Sequence, residues 1–133
     1  MTFVDTSAVY ATLDRGDPDH PCARHAFGQL RAEDARLVTH GYVVVEVVAL
    51  VQRRLGLVTV RRFVDDLLPI MEVIQVDAAL HAEALEALLA AGQRNVSLVD
   101  RTSFLVMRRH GIGRAFTFHA DFAAAGFEVI PAT

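Results

Sequence analysis

The chain has 133 residues, 53% hydrophobic and 22% charged, with a formal net charge of −3 at pH 7. That length can bury a core without staples or a partner, and the charge excludes a protein that coats nucleic acid with a general cationic surface, so any such contact has to be local. The single cysteine, Cys22, excludes an internal disulfide and a thiolate metal cluster and is assigned no role, while all 13 basic residues are arginine, which removes every mechanism that needs a lysine.

No apolar run reaches the roughly 18 residues of a membrane span. The opening residues lack the basic start and apolar stretch of a secretory signal, so a soluble, cytoplasmic protein is expected. In chain order, TFVD at 2–5 reads as a short buried strand feeding directly into a helix over 6–14. Residues 17–34 space Ala23, Ala26, Phe27 and Leu30 at helical intervals, with Asp17 before Pro18 as the expected cap. ARLVTH at 35–40 is a second strand. Residues 40–55 are too long for one and end in QRRLG, so their valines predict a buried helix. A helix over 57–68 closed by Pro69, a strand at MEVIQV (71–76) and an amphipathic helix over 77–92 ending at Gly92 follow. A helix starting near Asp100, a strand at RAFTF (114–118), a short helix over 119–126 and a last strand at FEVI (127–130) complete the chain. Strands alternate with helices throughout. The expectation is one domain over 1–133, a three-layer α/β/α sandwich around a roughly five-stranded, mostly parallel sheet.

Open parallel sheets place their functional residues beyond the carboxyl ends of the strands. Asp5 directly follows TFV, Asp100 follows SLV where a helix begins, and Asp121 lies just past AFTF. Glu46 stands inside GYVVVEVVAL, where an ionised carboxylate is costly unless a cation, a donor cluster or water compensates it. Carboxylates gathered together repel unless divalent ions sit among them, and hard oxygen donors select Mg²⁺ or Mn²⁺. Each acid also has a plainer reading. Asp5 and Asp100 are good helix caps, and Glu46 can pair with Arg53 or Arg54 at the margin of a buried face. Their conjunction at the ligand edge of the fold favours the metal.

FVDTSAVYATLDRGDPDH, THGYVVVEVVALVQRRLG and SLVDRTSFLVMRRHGIGRAFTFHADFAAAGFEVIP resemble, in order and spacing, the characteristic segments of the PIN-domain ribonucleases, specifically the VapC-type toxins of bacterial toxin–antitoxin pairs. The likeness runs the whole length of the chain. It implies a metal-dependent endoribonuclease toxin that hydrolyses RNA phosphodiester bonds, with Asp5, Glu46 and Asp100 as metal-binding acids and Ser7 near the metal and the substrate phosphate. It also implies a small antitoxin whose C-terminal tail covers the acidic pocket, and a homodimer formed through helices.

One position departs from the family pattern. Members commonly carry an aspartate straight after the fourth strand, where this chain has His119 in TFHADF. Asp121 is the expected substitute as fourth catalytic and metal-binding acid, and His119 is a candidate contact to the metal or its water. Arg101 and the pairs Arg53/Arg54 and Arg108/Arg109 are candidate contacts to the RNA backbone, a role that solvated helix faces explain equally well. Two rivals exist. A phosphatase forming an aspartyl-phosphate needs a second acid where Ser7 stands and a lysine this chain lacks. The other is a catalytically weak PIN-like module that binds RNA or a partner, having lost efficient metal binding through His119.

Overall fold

A computed structural model describes residues 1–132. Thr133, the last residue of the expected single domain, lies outside them. The strands are β1 (Thr2–Val4), β2 (Leu37–His40), β3 (Met71–Ile74), β4 (Arg114–Phe116) and β5 (Glu128–Ile130). The helices are α1 (Thr6–Leu13), α2 (His20–Ala32), α3 (Gly41–Leu55), α4 (Leu57–Arg62), α5 (Ala78–Ala91), α6 (Leu98–Arg109) and α7 (Asp121–Ala124). All strand pairs are parallel, in the order β3-β2-β1-β4-β5.

This order follows from burial. Phe3, Val38, Ala115 and Phe116 are enclosed on both faces of the sheet, which a parallel sheet between helical layers requires. Phe3 lies in register with Val38 on one side and Ala115 on the other. From β1 the chain winds outward through β2 to β3, then crosses back to β4 and β5. Right-handed crossovers therefore put α1–α4 on one face and α5–α7 on the other. The winding reverses between β1 and β4, and a crevice opens there at the carboxyl ends of the strands.

Several local expectations are corrected. Helix α2 begins at His20 behind Asp19, not behind Asp17, whose carboxylate instead accepts the Asp19 N–H at 2.8 Å in a turn. Only the stripe Val43, Val47, Val51 of α3 is enclosed, while Val45 is 67% exposed. The helix meets the core along one face, and the valine run is wider than that face. The helix expected over 57–68 divides into α4, a π-helical turn over 63–67 and a 3₁₀ turn over 68–70. Pro69 lies in the opening turn of that last segment, where its missing N–H leaves no helical bond unmade. Helix α6 opens at Leu98 rather than near Asp100, because Ser97 caps it and Asp100 completes a capping box three residues in. The strands expected over 71–76 and 114–118 end at Ile74 and Phe116. Gly92 ends α5 in the left-handed conformation, φ 63°, which glycine adopts without a Cβ penalty.

Candidate metal centre

Asp5 sits at the crevice because β1 ends at Val4, and it caps α1. Its Oδ2 accepts the Ser7 hydroxyl at 2.7 Å and the Thr117 hydroxyl at 2.9 Å. The register explains the second contact: Val4 pairs with Phe116, so the next residues of the two strands, Asp5 and Thr117, emerge side by side. Thr117 in turn accepts the His119 N–H at 2.9 Å, and Ser7 accepts the Phe118 N–H at 2.9 Å. Ser7, expected near metal and phosphate, thus has its hydroxyl engaged in orienting Asp5. Thr117 escaped the sequence reading; its only signal was a hydroxyl residue directly after a strand that neighbours β1.

Asp100 is brought to the same place by α6. Its carboxylate accepts the Ser97 N–H at 3.2 Å, so it caps its helix while its remaining lone pairs face the cleft. Capping and metal binding are therefore compatible for both aspartates. Glu46 hangs from α3 and is half-buried, not enclosed as the valine run suggested. No side-chain hydrogen bond or ion pair engages its carboxylate among the described residues. Asp5, Thr6, Ser7, Glu46, Ser97, Asp100 and His119 line one open cleft of about 300 Å³.

The position of α3 relative to α6 is set by His40. This residue is fully enclosed, and its Nδ1 accepts the N–H groups of Tyr42 and Val43, capping α3. The proton therefore resides on Nε2, which donates to Ser103 Oγ at 2.8 Å on α6, one turn beyond Asp100. One imidazole ties the helix carrying Glu46 to the helix carrying Asp100.

His119 and Asp121 complete the rim. The imidazole Nδ1 is 3.6 Å from Asp100 Oδ2 and 3.4 Å from Asp121 Oδ2, and donor atoms of these three residues lie within 4.8 Å of one another. Asp121 borders the cleft next to this one, while Asp100 and His119 beside it line the cleft of Asp5 and Glu46. Arg101 lines that neighbouring cleft and not the one lined by Asp5 and Glu46. Among the other candidate arginines, Arg54 lies over the Tyr10 ring and Arg109 pairs with Glu83, while Arg108 borders the same cleft as Arg101.

Electrostatically the cleft is unbalanced. Burial pushes the Asp5 carboxyl above its usual range, the Ser7 and Thr117 hydroxyls hold it down, and the nearby Asp100 charge raises it further. No Arg pairs with Asp5, Glu46 or Asp100 among the described residues. Thr6 Oγ1, in the wall of the cleft, is buried with no hydrogen-bond partner among those residues. A set of hard oxygen donors with uncompensated negative charge suits a divalent cation.

A family model described as the PIN domain matches residues 2–128, and the chain belongs to that family. Among its relatives is the 23S rRNA-specific endonuclease VapC20 of Mycobacterium tuberculosis, 38% identical over an alignment of 133 positions that covers 98% of this chain and 99% of the relative. The crystal structure of Mycobacterium tuberculosis VapC20, described as a sarcin–ricin loop cleaving toxin, matches with a TM-score of 0.82 at 36% identity over 96% of both chains. FitAcB from Neisseria gonorrhoeae matches with a TM-score of 0.71 at 21% identity over 97% of this chain and 96% of the other, a likeness of fold alone. The parallel five-stranded α/β architecture expected from the alternating elements is that of this family.

Proposed function

We propose that this protein is an endoribonuclease toxin that hydrolyses RNA phosphodiester bonds with Mg²⁺ or Mn²⁺, acting as a single cytoplasmic domain restrained by a small antitoxin. The observation that carries this reading is the convergence of Asp5, Glu46 and Asp100 on one cleft at the point where the sheet's winding reverses. A bound divalent ion supplies polarised water and neutralises charge developing on the phosphate. The chain's own residues prepare the place. Ser7 and Thr117 hold Asp5 in a single orientation, the capping box holds Asp100, and the unpaired Glu46 is left to adjust. Asp121 is the fourth acid, with His119 between it and Asp100.

Near full-length similarity to a 23S rRNA-specific endonuclease makes an RNA hairpin carrying the sarcin–ricin loop the first substrate to test. The exposed Val45, Leu57 and Val58 on α3–α4 and Leu89 on α5 offer apolar surface for a second copy and for the antitoxin. No helix among the described residues is long and apolar enough to cross a membrane. The test is cleavage of the hairpin by purified protein with Mg²⁺ or Mn²⁺, together with growth arrest on expression of the chain alone. Wild-type protein cuts, chelation stops it, and Glu46→Gln loses both cleavage and toxicity. Undiminished cutting by Glu46→Gln overturns the assignment. One observation favours a second reading, a binding module: His119 stands where the family carries an acid. Tight hairpin binding without cleavage at saturating Mn²⁺ selects it.

A further inference from the structure

The acid cleft has a neighbour of different chemistry. Successive helical residues point about 100° apart, so Asp100 faces the acids while Arg101 turns into the adjoining cleft between α6 and α7. That cleft, about 220 Å³, is lined by Gln93, Asn95, Arg101, Phe104, Arg108 and Asp121 among others. It adjoins the acid cleft: Asn95 lines both, and ligand atoms of Asp121 in this cleft and of Asp100 and His119 in the other lie within 4.8 Å of one another.

Its cations are available. Neither Arg101 nor Arg108 forms a salt bridge among the described residues. Arg101 Nη2 donates to Gln93 Oε1 at 2.7 Å, which holds the guanidinium in place near the Phe104 ring, 6.0 Å from its centroid. Its Nε is the one buried side-chain nitrogen left without an acceptor among the described residues. Among the described residues Arg108 reaches only the Ala125 carbonyl, at 3.5 Å, and it packs over Phe127. Of the Arg101 edge shared by Nε and Nη2, Gln93 takes only the Nη2 side, and guanidinium N–H groups are suited to a phosphate oxygen.

Charge explains why such a place is needed. Asp5, Glu46, Asp100 and Asp121 repel a polyanion, and even a bound divalent ion leaves the site short of cations. RNA carries a phosphate at every nucleotide, so the strand needs cations close to the acids, and in this cleft two arginines face the single carboxylate of Asp121.

We propose that the α6–α7 cleft seats the RNA phosphodiester adjacent to the one being cut, with Arg101 as its main donor and Arg108 as a second cation. This rests on the ribonuclease reading above. The test measures binding of a fluorescein-labelled sarcin–ricin hairpin by anisotropy across a salt series, in the cleavage-impaired Glu46→Gln background. Adding Arg101→Gln should weaken binding about tenfold and flatten the slope of log affinity against log salt by about 0.7–0.9. Arg101→Lys should keep the slope and recover only part of the affinity, because an ammonium lacks the fork. Arg36→Gln, which removes the same charge at the opposite end of β2, should change neither. Calorimetric Mn²⁺ affinity of Arg101→Gln in the otherwise wild-type chain should be unaltered. If Arg101→Gln binds with unchanged affinity and slope while the wild type cuts, the seat is wrong and the nuclease stands. If the wild type does not cut but Arg101→Gln still lowers affinity and slope, the cleft is a phosphate site of an RNA-binding module, and both the nuclease reading and the place beside a cut bond fall. If no protein binds the hairpin, both are overturned.

Discussion

The single histidine that ties α3 to α6 should make the fold sensitive to mild acid. Burial of His40 lowers its pKa from 6.5 to about 4, and the geometry shows what protonation would do: a hydrogen on Nδ1 would face the two N–H groups that this atom now caps. Above pH 6.5 the imidazole is neutral in folded and unfolded chains alike and contributes no pH dependence. As pH falls from 6.5 toward 4 the unfolded chain takes up the proton and the folded chain does not, so stability declines across that window and levels off below it. A separation of about 2.5 units at ~1.4 kcal/mol each amounts to about 3.5 kcal/mol in full, about 3 kcal/mol of it by pH 4, a large share of a typical stability of about 5–15 kcal/mol. Urea unfolding at intervals from pH 8 to pH 4, for the wild type and His40→Asn, measures it. Asparagine can still cap a helix but does not titrate, so the variant should be less stable at pH 8, from lost packing, and should lose about 3 kcal/mol less than the wild type on acidification. Taking the difference cancels the carboxylates, including Asp5, whose raised pKa acts with the opposite sign. Parallel curves for the two proteins would refute the argument.

Asp5→Asn should abolish hairpin cleavage yet unfold at the same or a higher temperature at pH 7. Asparagine keeps the α1 cap, and a buried charge that opposes folding above its raised pKa is removed; calorimetry showing a clear loss of stability, or a wild-type cleavage rate, counts against it. Asp121→Ala should weaken Mn²⁺ binding more than His119→Ala, since hard cations prefer oxygen; calorimetric titration giving the reverse order makes the histidine the fourth group. Thr117→Val should destabilise the fold by about 1–3 kcal/mol, because Asp5 loses a donor and the His119 N–H an acceptor. Thr117→Ser should restore most of that, and a valine variant as stable as the serine variant in urea would show the hydroxyl to be dispensable.

How far the sequence carries depends on the range of the forces involved. Alternation of strands and helices, the αL glycine at 92 and the aspartates just past β1 and just inside α6 are written in local patterns, because propensity, capping and periodicity act within a few residues. Glu46 stood out as a charge inside a valine run, but no local rule separates it from a surface glutamate paired with Arg53 or Arg54; its conjunction with the other acids and the family resemblance did. Local signals also misled where several served equally well: Asp17 and Asp19 both precede the second helix, and Ser97 and Asp100 share one capping box. What tertiary structure alone decided is which distant groups meet. Thr117 reaches Asp5 across 112 residues because β4 happens to pair with β1, and His40 reaches Ser103 across 63 because α6 crosses behind β2. The same topology sets Asp121 and Arg101 on the cleft that adjoins the one lined by Asp5, Glu46 and Asp100. Strand order is settled by the burial of whole layers, a sum over the entire chain, and no window of sequence contains that sum.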